Sequence, residues 1–387
     1  MKQQAMASAD AEFPDDDCAD MEEDVRPCGD ADQALDGSEP PPAPRVVNRG
    51  LTSGIHPGVL QQIVWLRALE TIERFRVVRA IDIALACFPE RPFKAALTAA
   101  QRAMRGLAKA NLVRRYRTDR FQHVYGLTVP GARWLNDRGV SAASSIRRVA
   151  DMSNPEHTLW MNFIVLASEA RGLRAMSERE ALQDLNLQRE EGEAAIQGFL
   201  NVELRSGTRT LRPDAVAFED DGLTWFEIDR SKRGADREAA LSALTGRVGM
   251  RLPNQAVLRR VVVLARTERI WLRARAVLRA KAALANDVPL VRGSVRHFRE
   301  AGDGVFEVWA AVTQEPGGYA IDVCVGHVII QMLPTWLPKV RLGASNRQPL
   351  AGWFDENYLP YRRPEALPPW PSPTSPLLKY SRSSQYW

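Results

Sequence analysis

Apolar residues at Leu60, Ile63, Val64, Leu69, Ile72 and Phe75 recur with the period of an amphipathic helix, which the pattern predicts over Leu60–Phe75. A second, short helix is predicted over Val77–Phe88, stopped by Pro89. A third starts near Pro92, a residue favoured in the first helical turn, and runs to about Asn111. On this third helix Leu97, Ala100, Met104, Leu107 and Ala108 share one face, while Lys94, Arg102, Arg105 and Lys109 share another. Such a helix can dock one side on its own domain and present the other, cationic side outward. Two β-rich runs follow, Leu112–Arg117 and Phe121–Thr128, around a turn at Thr118-Asp119-Arg120. They predict a ribbon studded with Arg114, Arg115, Arg117 and Arg120. A short helix over Ala132–Asp137 ends before Gly139.

The pattern changes near Asn154. A helix carrying His157, Leu159, Trp160, Asn162, Phe163, Val165 and Leu166 runs to about Gly172, and Ser177–Leu185 follows with Glu178 and Glu180. Two apolar runs then flank the acidic turn Glu219-Asp220-Asp221-Gly222. Next come a helix from Ala235 to about Met250, a strand Arg260–Ala265, and a helix opened by Thr267-Glu268. Val305–Val312 and Ala320–Val325 read as later strands. This alternation is an α/β layer pattern. From Pro349 onward, eight prolines in 28 residues predict an extended tail, with its Trp and Tyr residues as docking points.

Charge sharpens this division. The net charge is +5, yet residues 1–44 carry thirteen acidic residues against only Lys2 and Arg26, and residues 61–150 carry seventeen basic against six acidic. A basic domain beside a polyanionic, proline-ended arm points to a nucleic-acid partner, with the arm expected to be disordered. The four cysteines form no CxxC pair, which argues against a disulfide framework or zinc module and for a reduced compartment. The start of the chain lacks the apolar core of a signal peptide, and no apolar run approaches ~18 residues. The expected location is the cytoplasm, with no membrane partner. Without a glycine-rich phosphate loop, an ATP-driven motor is not expected.

The richest chemistry lies in Arg212–Lys232. Asp214 stands behind Pro213 at the start of one apolar run, and Glu227 and Asp229 alternate along the next. If the runs pair as a hairpin, three carboxylates converge near one edge of a sheet. Carboxylates held on rigid strands suit a hard divalent cation. His157 reads as a helix-start residue, because no second histidine lies at metal-ligand spacing. Glu180 is a candidate fourth carboxylate.

Pro213-Asp214 and Glu227 resemble the first two elements of the PD-(D/E)xK nuclease motif, but Asp229 stands where that superfamily has lysine. Lys232 could supply the amine only from beyond the strand. A narrower resemblance fits the whole arrangement. The basic helical domain, His157-Thr158-Leu159 with Asn162, Pro213-Asp214-Ala215 and Glu227-Ile228-Asp229-Arg230-Ser231 are similar to the replication-relaxation family, over about residues 60–285.

The resemblance implies a mixed α/β (α+β) chain: an N-terminal winged helix-turn-helix, then a restriction-endonuclease-like α/β domain, with disordered tails. The expected divisions are an acidic tail (1–58), a winged helix domain (59–150), the nuclease-like domain (151–345) and a Pro-rich tail (346–387). The implied function is DNA binding for a bacterial plasmid or integrated mobile element, in replication, relaxation or mobilisation. Partners would be double-stranded DNA, other replication or mobilisation proteins and a second copy in a homodimer. Arg102, Arg105 and Lys109 would reach bases or phosphates, and Arg114, Arg115, Arg117 and Arg120 phosphates. One alternative is a Mg²⁺- or Mn²⁺-dependent endonuclease, with Asp214 and Glu227 holding the ion and Asp214, Glu227 and Asp229 catalytic. Another is a transcriptional regulator of transfer genes.

Overall fold

The first helix, α1 (Pro57–Phe75), buries Ile63, Val64, Leu66, Leu69, Ile72 and Phe75 on one side, as its apolar period requires. It stops at Arg76, whose φ of 66° is left-handed and cannot continue the helix. That stop corrects one expectation. Val77 and Val78 are not helical: Val78 leaves α1 extended and exchanges backbone hydrogen bonds of 3.3 and 2.8 Å with Tyr125. Helix α2 therefore spans only Ala80–Cys87. Helix α3 (Phe93–Lys109) follows Pro92, and β1 (Val113–Arg117) pairs antiparallel with β2 (His123–Leu127) before α4 (Val129–Asn136).

The structure, a computed structural model, describes residues 56–118, 123–145, 156–187, 189, 194–204, 207–229, 234–290, 296–313, 318–333 and 358–377. Most of the expected acidic tail, Arg120, Lys232 and residues 334–357 lie outside the described residues. The described residues contain eight helices and eleven strands.

Helix α5 (Glu156–Ala170) leads into β3 (Arg174–Ser177) and α6 (Glu178–Leu187). A small two-stranded ribbon, β4 (Leu200–Leu204) and β5 (Gly207–Leu211), comes next. The main sheet is then completed by β6 (Ala215–Glu219), β7 (Gly222–Asp229), β8 (Leu258–Ala265), β9 (His297–Gly302), β10 (Val305–Thr313) and β11 (Ala320–Met332). Helices α7 (Ala235–Thr245) and α8 (Glu268–Asn286) flank β8 in sequence. The strand order is β3-β6-β7-β8-β11-β10-β9; β7, β8 and β11 run parallel and the other neighbours antiparallel.

Alternation along the central strands sorts two cores. Phe226, Ile228, Val262, Leu264 and Ile329 join α1–α5 in one continuous cluster, while Trp225, Val261, Val263, Val328 and Ile330 join α7 and α8 in another. The helical segment and the sheet therefore share a core. Two buried polar ties reinforce it: Asn162 of α5 donates to the Val77 carbonyl at 2.8 Å, and Arg79 donates to the Leu159 carbonyl at 2.9 Å. The late prolines keep residues 358–377 irregular, yet Tyr358, Tyr361 and Leu377 are wholly buried in the first cluster.

Lys281 on α8 is partly buried, with its ammonium over the Phe298 ring and donating to the Ser242 carbonyl and to Thr245 Oγ1. Burial pulls this amine down to about 8. The folded protein thus holds this proton less tightly than the unfolded chain, and charge at Lys281 opposes folding at neutral pH. Relative to Lys281→Met, wild-type stability should be flat below about pH 8 and rise from there towards ~10.4, the free lysine value. Urea titrations of both proteins across pH 7–10 test this; a constant difference would refute it.

Candidate functional site

Two surfaces carry the residues singled out from the sequence. The first is built by α3 and the β1–β2 ribbon. Ala96, Ala100, Met104 and Leu107 are buried, and Lys94, Arg102, Arg105 and Lys109 are exposed. Ala108 corrects the expected apolar face, for it points outward, one helical step beyond buried Leu107. On the ribbon Arg114, Arg115 and Arg117 are exposed, paired with Gly126, Tyr125 and His123 in the β ladder. Burial first, and then the Arg115 and Arg117 guanidiniums, push His123 below the usual imidazole range, so arginine carries the ribbon's charge at neutral pH.

The exit from the ribbon is rigid. Thr128 Oγ1 donates to the Leu112 carbonyl at 2.8 Å and accepts from the Gly131 amide at 3.0 Å, capping α4. A side chain at Gly131 would place Cβ 2.0 Å from the Leu112 oxygen, so only glycine fits this approach. Sequence reasoning missed Thr98 and Gln101, which are exposed on α3 between Lys94 and Arg105. Thr98 spends its hydroxyl on the Lys94 carbonyl at 2.8 Å.

The second surface is a cleft of about 550 Å³ whose lining includes Asp214, Glu227 and Asp229 together, as the hairpin predicted. It lies at the end of the strands and not at the sheet edge, because β7 is third of seven. Asp214 precedes β6 and its amide donates to the Phe226 carbonyl at 3.0 Å, which sets it beside Glu227. The Asp214 carboxylate accepts from the Ile228 amide at 2.6 Å through Oδ2, and His157 Nε2 lies 3.0 Å from Oδ1. His157 is thus more than a helix start: α5 delivers it to the cleft. Glu227 accepts from Trp225 Nε1 at 2.7 Å, and Asp229 is buried.

Glu180 is not a member of this cluster. Arg74 of α1 binds it at 2.6 Å, and both the amide and hydroxyl of Ser177 donate to it at 2.9 Å. Burial alone would raise its pKa, but the Arg74 hydrogen bond and charge, aided by Ser177, outweigh burial and hold it below the usual range. Its neighbour Glu178 reaches the cleft instead, 3.4 Å from Arg212. Glu219 and Asp221 of the acidic turn face away from the cleft and bind Arg260, at 3.5 and 2.6 Å.

Arg209 and Arg212, on and just after β5, and Arg237 of α7 complete the charged lining and were not foreseen. The signal was present in the alternation of Leu-Asn-Val-Glu-Leu and Gly-Thr-Arg-Thr-Leu, which predicts a hairpin.

These acids do not fit a resident Mg²⁺ or Mn²⁺ ion as they stand. Each Asp214 oxygen already faces a partner, the Ile228 amide or His157, and among the described residues no group of three or more His, Cys, Asp or Glu side chains is arranged to hold a metal. Millimolar Mn²⁺ should therefore leave the melting temperature unchanged; a clear rise that Asp214→Asn removes would show an ion bound there.

No described helix is long and apolar enough to cross a membrane. No curated protein and no solved structure matches the chain. A family model does match, over the last two turns of α1, α2 to α6, the α3 and ribbon surface, most of the cleft lining and the start of α7. Across residues 69–240 the chain is similar to the replication-relaxation family.

Proposed function

We propose that this protein binds double-stranded DNA of a plasmid or other mobile element through α3 and the β1–β2 ribbon, acting as a winged helix-turn-helix. The observation that carries this reading is the split of α3. One face is sealed into the core, the other bears Lys94, Arg102, Arg105 and Lys109, and the ribbon beside it adds Arg114, Arg115 and Arg117. The antiparallel bridge between Val78 and Tyr125 supports it, since it anchors the ribbon to the α1–α2 junction. The family match supports a role in the replication or relaxation of such DNA. In this reading α3 enters the major groove. Arg102 and Arg105 suit guanine edges and Gln101 adenine; Lys94 and Lys109 suit flanking phosphates. The ribbon lies along the backbone.

The sheet domain then serves as a scaffold and a further contact surface for mobilisation proteins or a second copy. The Asp214 carboxylate, which accepts from the Ile228 amide and lies against His157, favours binding over metal-dependent cleavage. Titration of a labelled duplex by anisotropy tests the first point: joint replacement of Arg102, Arg105 and Lys109 by alanine should abolish saturable binding with the fold intact. Unchanged affinity would overturn it. Supercoiled DNA incubated with the protein and Mn²⁺ should stay intact. Nicking that Asp214→Ala abolishes would select the endonuclease instead.

A further inference from the structure

Helix α3 begins without help from its own sequence. Pro92 at the N-cap makes no side-chain hydrogen bond, and the first turn contains no acidic residue. Its first amides therefore lack a side-chain cap. What meets this end is a segment 265 residues away: the Tyr358 ring lies 5.5 Å from the Phe93 ring, and its hydroxyl donates to the Phe93 carbonyl at 3.3 Å. Tyr358 is wholly buried and has a φ of 60°, a left-handed conformation that an aromatic residue adopts only where its surroundings impose it.

The surroundings here are extensive. Three residues on, Tyr361 packs 6.0 Å from Phe226 of β7 and donates to Glu219 at 3.0 Å, and Arg363 pairs with the same carboxylate. The Arg362 amide donates to Gln331 of β11 at 3.0 Å, and Trp370 donates to the Tyr361 carbonyl at 2.9 Å. Further along, the Pro371 carbonyl accepts from Arg171 at 2.8 Å and the Thr374 amide donates to the Ala170 carbonyl. The segment therefore spans from the first turn of α3, across the sheet, to the end of α5. It lies wholly outside the family-matched span.

We propose that residues 358–377 form a strap that sets the pose of α3 for DNA, with Tyr358 as its positioning residue. This rests on the DNA-binding reading above. Lys94, adjacent to Phe93, and Arg102 line the shallow groove on the exposed side of α3. Hydrogen bonds to base edges weaken steeply with displacement and misalignment, so the hold on the first turn is a hold on specificity. Phosphate contacts on the ribbon tolerate more movement.

The test uses the whole 387-residue chain with Tyr358→Ala, Tyr358→Leu to keep an apolar side chain there if alanine fails to fold, and Tyr358→Phe as the conservative variant. Two quantities are read well below each melting temperature. The first is exchange of the Ala96 and Leu97 amides, the first to bond back into the helix, without DNA. The second is affinity for a duplex selected by the wild type from a random library, relative to a scrambled duplex. Loss of the ring should speed exchange of that turn about tenfold. It should cut the preference for the selected duplex by about tenfold with little change on scrambled DNA. Tyr358→Phe should recover most of both. A strap that only stabilises would lower the melting temperature while leaving local exchange and preference unchanged, and that result would overturn the proposal. If the wild type binds no duplex at all, the function reading fails, and the exchange measurement alone decides whether the strap holds α3.

Discussion

Replacing Asp82 by alanine should destabilise the fold by about 3–5 kcal/mol, the range for breaking a buried ion pair from one side. Asp82 is fully buried and Arg79 is 3 % exposed. They are joined at 2.9 and 3.1 Å, and the same carboxylate accepts the Arg79 amide at 2.7 Å. That amide bond caps the start of α2, so the loss includes a helix cap as well as a counter-charge. The guanidinium could not escape to water, for it also donates to Leu159 and sits 5.7 Å above the Trp160 ring. Removing both charges with Arg79→Met and Asp82→Leu should cost far less than the single change, because no unpaired ion is left behind. Urea unfolding of the two single variants and the double variant measures the coupling. A single-variant loss below ~1 kcal/mol would show that water or another partner replaces Asp82.

The consequence would reach beyond α2. Arg79 makes a buried tie between the α1–α2 junction and α5, as Asn162 does, and α5 also delivers His157 to the acid cleft. Loosening it should disturb both surfaces at once. Arg74 makes a parallel tie from α1 to Glu180 and Glu169, at 2.6 and 2.7 Å, but at a more exposed place where water can substitute.

What the sequence made legible follows from how local each signal is. The two faces of α3 are written within seventeen residues, because a 3.6-residue period sorts Ala100 and Met104 from Arg102 and Arg105 without reference to the rest of the chain. The meeting of Asp214 with Glu227 was readable for the same reason, as a tight hairpin fixes register across fourteen residues or fewer. Partners chosen over long distances were not readable. Glu180 looked like a cleft acid until Arg74, 106 residues earlier, took it. Glu219 read as part of an acidic turn, yet Tyr361, 142 residues later, and Arg260 enclose it. Val77 and Val78 have apolar character that suits either helix or strand, and only the distant Tyr125 decides for strand. The Pro-rich segment after residue 357 carries no periodicity at all, so its burial could be read only from its aromatic residues.

Joint replacement of Arg115 and Arg117 by alanine should weaken duplex binding roughly 10- to 100-fold near 0.1 M salt and reduce the salt slope by about 2. Both side chains are exposed and sit at alternate positions of β1, so they share one face of the ribbon. Exposure on that face lets each charge reach a phosphate. Arg114 differs, since it points to the opposite face and lies 5.4 Å over the Tyr116 ring, and its loss should cost less. The effect should be nearly uniform across DNA sequences, because phosphates carry no base identity. Arg102→Ala should behave in the opposite way, relaxing preference at one position with a slope change no larger than about 1. Measuring affinity from 50 to 300 mM salt on two unrelated duplexes separates the two cases. A slope unchanged by the ribbon substitutions would remove the ribbon from the interface, and leave α3 to account for binding alone.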